Sequence, residues 1–184
     1  FDLAAKAIYE FVWDQLCDWY LELSKPVLNS DSATPAQKAG TRFTLISTLE
    51  ATLRLAHPFI PFITEELWQQ IPSSIRGSGE TIVLSAYPDA SDELVDQEAE
   101  GDIAWLKNIV TGTRNIRGEM DISFGKPIPV LFYNGNDQDK MRLESNKALL
   151  EFLVKPERLT WLEADAEPPA SAMHLVGKMQ VLVP

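Results

Sequence analysis

The chain has 184 residues, 45% hydrophobic and 23% charged, the balance of a soluble globular protein able to bury a substantial core. Its 27 Asp and Glu outweigh 16 Lys and Arg, and a net charge of −11 argues against a general nucleic-acid binder, which ordinarily shows a basic patch. No run approaches the ~20 apolar residues of a membrane span, and the single cysteine, Cys17, cannot close an internal disulfide, so a reducing, cytoplasmic setting is expected.

Asp2, Glu10, Asp14 and Asp18 argue against a signal peptide at the start of the chain, and the opening on helical residues without an initiator Met reads as a piece of a longer polypeptide. From Leu3 to Lys25 a helical period places Ile8, Val12, Leu16, Trp19, Tyr20 and Leu23 on one face, with Pro26 as its stop. The rings of Trp13, Trp19 and Tyr20 are expected to pack a bundle. Thr34-Pro35-Ala36-Gln37 is a capping box that opens a second helix, with Leu45, Ile46, Leu49, Leu53 and Ala56 inward.

That helix runs into His57-Pro-Phe-Ile-Pro-Phe-Ile-Thr-Glu-Glu-Leu-Trp68. Pro58 ends or sharply bends the incoming helix, and Pro61 opens the next, where its missing N–H costs nothing. Phe59, Ile60, Ile63 and Leu67 recur at helical spacing, which predicts an apolar inner stripe with Glu65 and Glu66 outside. Pro72 to Gly79 is loop by composition, and Thr81 to Ala86 reads as an extended connection. Asp89 to Asp102 is an acidic, solvated stretch.

A fourth helix, about Asp92 to Arg117, turns Trp105, Leu106, Ile109, Val110, Thr113 and Ile116 inward and is stopped near Gly118. The period then falls to two over Ile128 to Tyr133, a strand ending at Asn134-Gly135. Gln138 to Val154 reads as a helix, Arg158 to Leu162 as a strand, and Met173 to Val183 as a hairpin broken at Gly177-Lys178. The fold class is therefore α+β, a mainly helical bundle over 1–120 followed by a small β-α-β-β subdomain over 121–184.

Three segments carry a family resemblance. The His57–Trp68 stretch resembles the His-Pro-Phe-x-Pro-Phe-x-Thr-Glu-Glu-x-Trp signature of class I aminoacyl-tRNA synthetases of the valine, isoleucine and leucine group. Trp13-Asp-Gln-Leu-Cys-Asp-Trp-Tyr-Leu-Glu22 is similar to a segment found especially in valyl-tRNA synthetases, and Arg114-Asn-Ile-Arg-Gly-Glu-Met120 to one of the valine and isoleucine enzymes. The resemblance implies the anticodon-binding region of a valyl-tRNA synthetase. Its partners would be the anticodon stem-loop of tRNA(Val) and the rest of the synthetase chain, a catalytic core before it and a coiled coil after it. A further family helix would precede Phe1. Two rivals stand beside it: the same domain of an isoleucyl-tRNA synthetase, and an acidic helical protein-interaction module with no nucleic-acid role.

No catalytic constellation is expected in the chain itself. His57 and His174 lack metal-ligand neighbours, one cysteine cannot build a zinc site, and Gly77-Ser78-Gly79 has neither the strand nor the lysine of a phosphate loop. The family's ATP signatures, His-x-Gly-His and Lys-Met-Ser-Lys-Ser, are absent, so cofactor use (ATP) is expected only of the parent protein. What remains is binding by a monomer. Arg114, Arg117 and Lys126 form the best cationic cluster, suited either to phosphates or to ion pairs with Glu119 and Asp121. Leu21 and Lys25 end the first helix, where the family resemblance implies a pocket for anticodon bases; Leu21 fits either a base or the bundle core.

Overall fold

A computed structural model describes residues 1–184 as two compact units, Phe1–Glu93 and Leu94–Pro184. The first is helical and the second holds a four-stranded sheet, so the chain is mainly helical α+β.

The first unit opens with helix α1 (Asp2–Glu10), a π-helical segment (Phe11–Tyr20) and helix α2 (Leu21–Leu28), joined without a break in helical dihedrals. Ile8, Val12, Leu16, Trp19, Tyr20 and Leu23 are all buried or half-buried, as the spacing predicts. Trp13 departs from expectation. It is 57% exposed and stacks on Tyr9, ring centroids 6.4 Å apart and planes 2° from parallel. The spacing does not place Trp13 on that inner face; only the bulk of its ring predicts burial. Pro26 also fails to stop the helix, which continues to Leu28. The Ser24 hydroxyl donates back to the Leu21 carbonyl at 2.8 Å.

Helix α3 (Pro35–Ala56) begins in the expected capping box: the Thr34 hydroxyl accepts from Gln37 N at 3.2 Å, and Thr34 N donates to the Gln37 amide oxygen at 2.8 Å. It ends before Pro58, and Pro61 occupies the first position of helix α4 (Pro61–Gln69). A short helix α5 (Ser73–Arg76) follows.

The expected apolar stripe of α4 faces solvent instead. Ile60, Ile63 and Leu67 are about half exposed, while Thr64 and Trp68 are wholly buried and Glu65 is half-buried. Hydrogen bonds set this orientation. The Thr64 hydroxyl donates to the Ile60 carbonyl at 2.8 Å, which leaves its oxygen to accept from His57 Nδ1, also at 2.8 Å. One turn later Trp68 joins Leu53, Ile71 and Ile82 in a core flanked by Ile46, Leu49 and Ile75. Its indole N–H donates to Glu50 at 2.8 Å, and the buried Glu50 carboxylate is gripped by the Arg54 fork at 2.8 to 3.1 Å. Arg76 lies 4.7 Å over the Trp68 ring and donates to the carbonyls of Ile71 and Gly79. Ile82, expected in an extended run, is buried in a single 3-10 turn (Ile82–Leu84).

Glu65 fastens that turn. Its carboxylate accepts from the Thr81 hydroxyl at 2.7 Å, from Gln69 at 2.7 Å and from Ile82 N at 3.1 Å. Chiefly the Thr81 bond, then that of Gln69, holds its pKa below the ordinary glutamate value; desolvation opposes them, and the Ile82 N–H and His57 add smaller lowering effects. A depressed carboxylate pKa stabilises the fold above the unfolded-state pKa and loses that contribution as pH falls through the folded value. Thermal melting from pH 7 to pH 3 should therefore show Glu65→Gln less stable than wild type at neutrality, with the gap closing below about pH 4.3. Parallel curves for the two proteins would assign the acid sensitivity to other groups.

In the second unit, helix α6 (Gln97–Glu119) is capped by Asp96, which accepts from the amides of Glu98 and Ala99. It buries Trp105, Leu106, Ile109, Val110, Thr113 and Ile116, as its period predicts. The sheet runs β2–β1–β4–β3: β1 (Ile128–Tyr133) pairs parallel with β2 (Pro156–Trp161) and antiparallel with β4 (Met179–Val183), which closes a hairpin with β3 (Ala172–Val176). Gly177, at φ 61°, takes the left-handed position in that turn. Helix α6 lies against β3 and β4, so it belongs to the compact unit of the sheet. A Cβ on Gly112 would sit 2.1 Å from the His174 ring, so the glycine lets helix and strand approach. The helix expected over Gln138 to Val154 is two, α7 (Asp137–Ser145) and α8 (Lys147–Val154). Asn146 parts them; its backbone N–H and its side-chain amide both donate to the Arg142 carbonyl, at 3.0 and 2.9 Å.

Candidate nucleic-acid interface

In the first unit, Leu21 is 41% exposed at the first turn of α2. Lys25, one turn on, is exposed and donates to the half-exposed carboxylate of Glu22. An exposed pair of this kind contributes little to stability and exchanges readily for another anion. Between the π-helical segment and α3 lies a groove of about 270 Å³ lined by Phe11, Gln15, Leu16, Tyr20, Thr44 and Thr48. Its lining surface is almost wholly apolar, and the Thr44 hydroxyl is turned to the Gly40 carbonyl at 3.0 Å. Sequence reading missed Phe11, Gln15, Thr44 and Thr48. Their only signal lies in two helices brought side by side, and no spacing within either helix reports that.

In the second unit, α6 ends in a Schellman motif: Asp121 N donates to the Gly118 carbonyl and Ile122 N to the Arg117 carbonyl, with Asp121 left-handed at φ 51°. The stop is thus Asp121, three residues beyond the expected Gly118. Arg117 lies at the base of this structure and is 4% exposed. Its Nη1 donates to the carbonyls of Ser123 at 3.0 Å and Lys126 at 2.8 Å. Nη2 reaches the carbonyls of Val154 at 3.2 Å and Lys155 at 3.5 Å, at the end of α8, where a cation also meets the negative pole of the helix. Nε has no partner, and burial lowers the guanidinium pKa without discharging it. Arg117 grips backbone carbonyls, and neither Glu119 nor Asp121 pairs with it.

Arg114, one turn earlier, and Lys126 are exposed. Lys126 closes a turn through its N–H to the Ser123 carbonyl at 3.0 Å, and its own carbonyl is held by Arg117. The second unit also has an open cleft of about 620 Å³, lined in part by Trp105, Asn108, Asp139, Arg142 and Lys178. Arg142 is paired with Asp102 at 2.6 Å, and Asp139 accepts from the Trp105 indole and from Asn136 N. Asp139 and Arg142 are thus committed to the fold. No group of three or more His, Cys, Asp or Glu converges as metal ligands.

The family model for the anticodon-binding domain of tRNA ligase matches residues 1–132. The match takes in Leu21, Lys25, Arg114, Arg117 and Lys126 and extends into β1. Spanning well over half of the chain, it establishes that this protein belongs to the anticodon-binding domain family of tRNA ligases, with tRNA as its partner and an aminoacyl-tRNA synthetase as its parent.

Proposed function

We propose that the chain is the anticodon-binding region of a valyl-tRNA synthetase and holds the anticodon stem-loop of tRNA(Val) while a catalytic core elsewhere in the parent esterifies valine. The string Cys17-Asp-Trp-Tyr-Leu-Glu22, inside the matched region, carries the choice of valine. It sits where the π-helical segment passes into α2, beside the groove that Tyr20 lines and next to the open Leu21. Leu21, Lys25, Arg114 and Lys126 supply contacts; Arg117 positions the loop that carries Lys126. In a chain of net charge −11 long-range attraction cannot supply affinity, so recognition rests on these local contacts.

Titration of the chain with fluorescently labelled RNA hairpins of identical stem tests the reading. A hairpin with a valine anticodon should bind more tightly than one with an isoleucine anticodon. The reverse preference would assign the domain to the isoleucine enzyme, and indifference to anticodon sequence would remove the valine assignment.

A further inference from the structure

The turn after α6 carries Phe124, whose ring is 49% exposed. Lys155 lies 4.8 Å from the ring centroid, a cation against an aromatic face. Lys155 itself stands in the left-handed conformation, φ 50°, at the end of α8, with its side chain exposed. Lys126 is two residues beyond Phe124 and closes the same turn. The buried Arg117 binds the carbonyls of both Lys126 and Lys155, so one guanidinium fixes the backbone beneath both lysines. Arg158 is exposed on the strand that follows, paired in register with Pro129 of β1.

A half-exposed aromatic ring with an ammonium group against it and a second lysine two residues on is suited to holding an unpaired nucleotide: the ring stacks on a base and the cations meet the adjoining phosphates. We propose that Phe124 is a stacking platform for one unpaired base of the bound RNA, with Lys126 and Lys155 contacting the adjoining phosphates. This rests on the reading that the chain binds an anticodon stem-loop, and adds a base contact outside the helical unit that holds Leu21 and Lys25.

The test uses the whole 184-residue chain and two RNA probes, a hairpin with a seven-nucleotide loop and a blunt duplex of the same stem. Phe124→Ala should weaken hairpin binding roughly 5- to 100-fold, the range of one lost base stack, with an unchanged slope of log K against log salt. Phe124→Leu should weaken it as well, since it keeps apolar bulk without a π face, and Phe124→Trp should restore it. Lys126→Gln and Lys155→Gln should each lower the salt slope by about 0.7 to 0.9. Melting temperatures of all variants control for folding, and duplex binding should not respond to position 124. Wild-type affinity in Phe124→Leu overturns the stacking role alone. A wild-type chain that binds the hairpin no better than the duplex overturns this proposal and the anticodon reading together.

Discussion

Trp68→Ala is expected to destabilise the helical unit by about 3–5 kcal/mol, the cost of removing a large, fully buried ring. The indole is also the donor to buried Glu50 and the surface beneath the Arg76 guanidinium, so its loss leaves two charged groups with fewer partners. Trp68→Phe separates these effects. It keeps most of the apolar volume and removes the N–H, and because the Arg54 fork still satisfies Glu50 the expected cost is only about 1–2 kcal/mol. Phe62→Ala supplies the contrast from the same signature: that ring is 91% exposed, and the change should stay within about 0.5 kcal/mol. Urea denaturation of the three variants checks the order. A Trp68→Ala midpoint close to that of Phe62→Ala would mean that the signature tryptophan does not anchor the core.

Arg117→Met should destabilise the second unit by about 3 kcal/mol, since several buried carbonyls lose a charged donor together. Lysine should recover less than half of that. An ammonium is a compact point charge and cannot span carbonyls on two separate segments, the turn at Ser123–Lys126 and the end of α8. Thermal melting measures the loss, and amide exchange should accelerate first in the turn that Arg117 holds. Native-like melting of Arg117→Lys would show that the fork is dispensable. The RNA salt slope distinguishes the two arginines. Arg117→Lys should leave it unchanged in the folded protein, whereas Arg114→Gln should lower it by about 0.7 to 0.9 if that residue meets a phosphate.

Local signals were readable wherever the physics is local. The capping box at Thr34 depends on residues three apart, the helix boundary at Pro58 and Pro61 on the geometry of proline, and β1 on a short apolar run closed by Asn134-Gly135; all three formed in the expected places. The inner face of α6 was equally legible, because a 23-residue helix repeats its period often enough to fix one side. The orientation of α4 was not. Nine residues give little more than two turns, and its apolar stripe was outweighed by hydrogen bonds from Thr64, Glu65 and Trp68 to groups as far away as Glu50 and Thr81.

By itself, then, the sequence determined the element order, the α+β class, the kink between the two prolines and, through its matching segments, the family. Which cations are exposed and which are buried was decided only by tertiary structure. Arg114 and Arg117 sit three residues apart on one helix and look equivalent in the string, yet one is exposed and the other is 4% exposed. The difference arises from carbonyls at Val154 and Lys155, 37 and 38 residues further along, which the folded chain brings to a guanidinium. A buried cation is tolerated only where such acceptors converge, and their convergence is a property of the packed unit, absent from any local stretch of the chain.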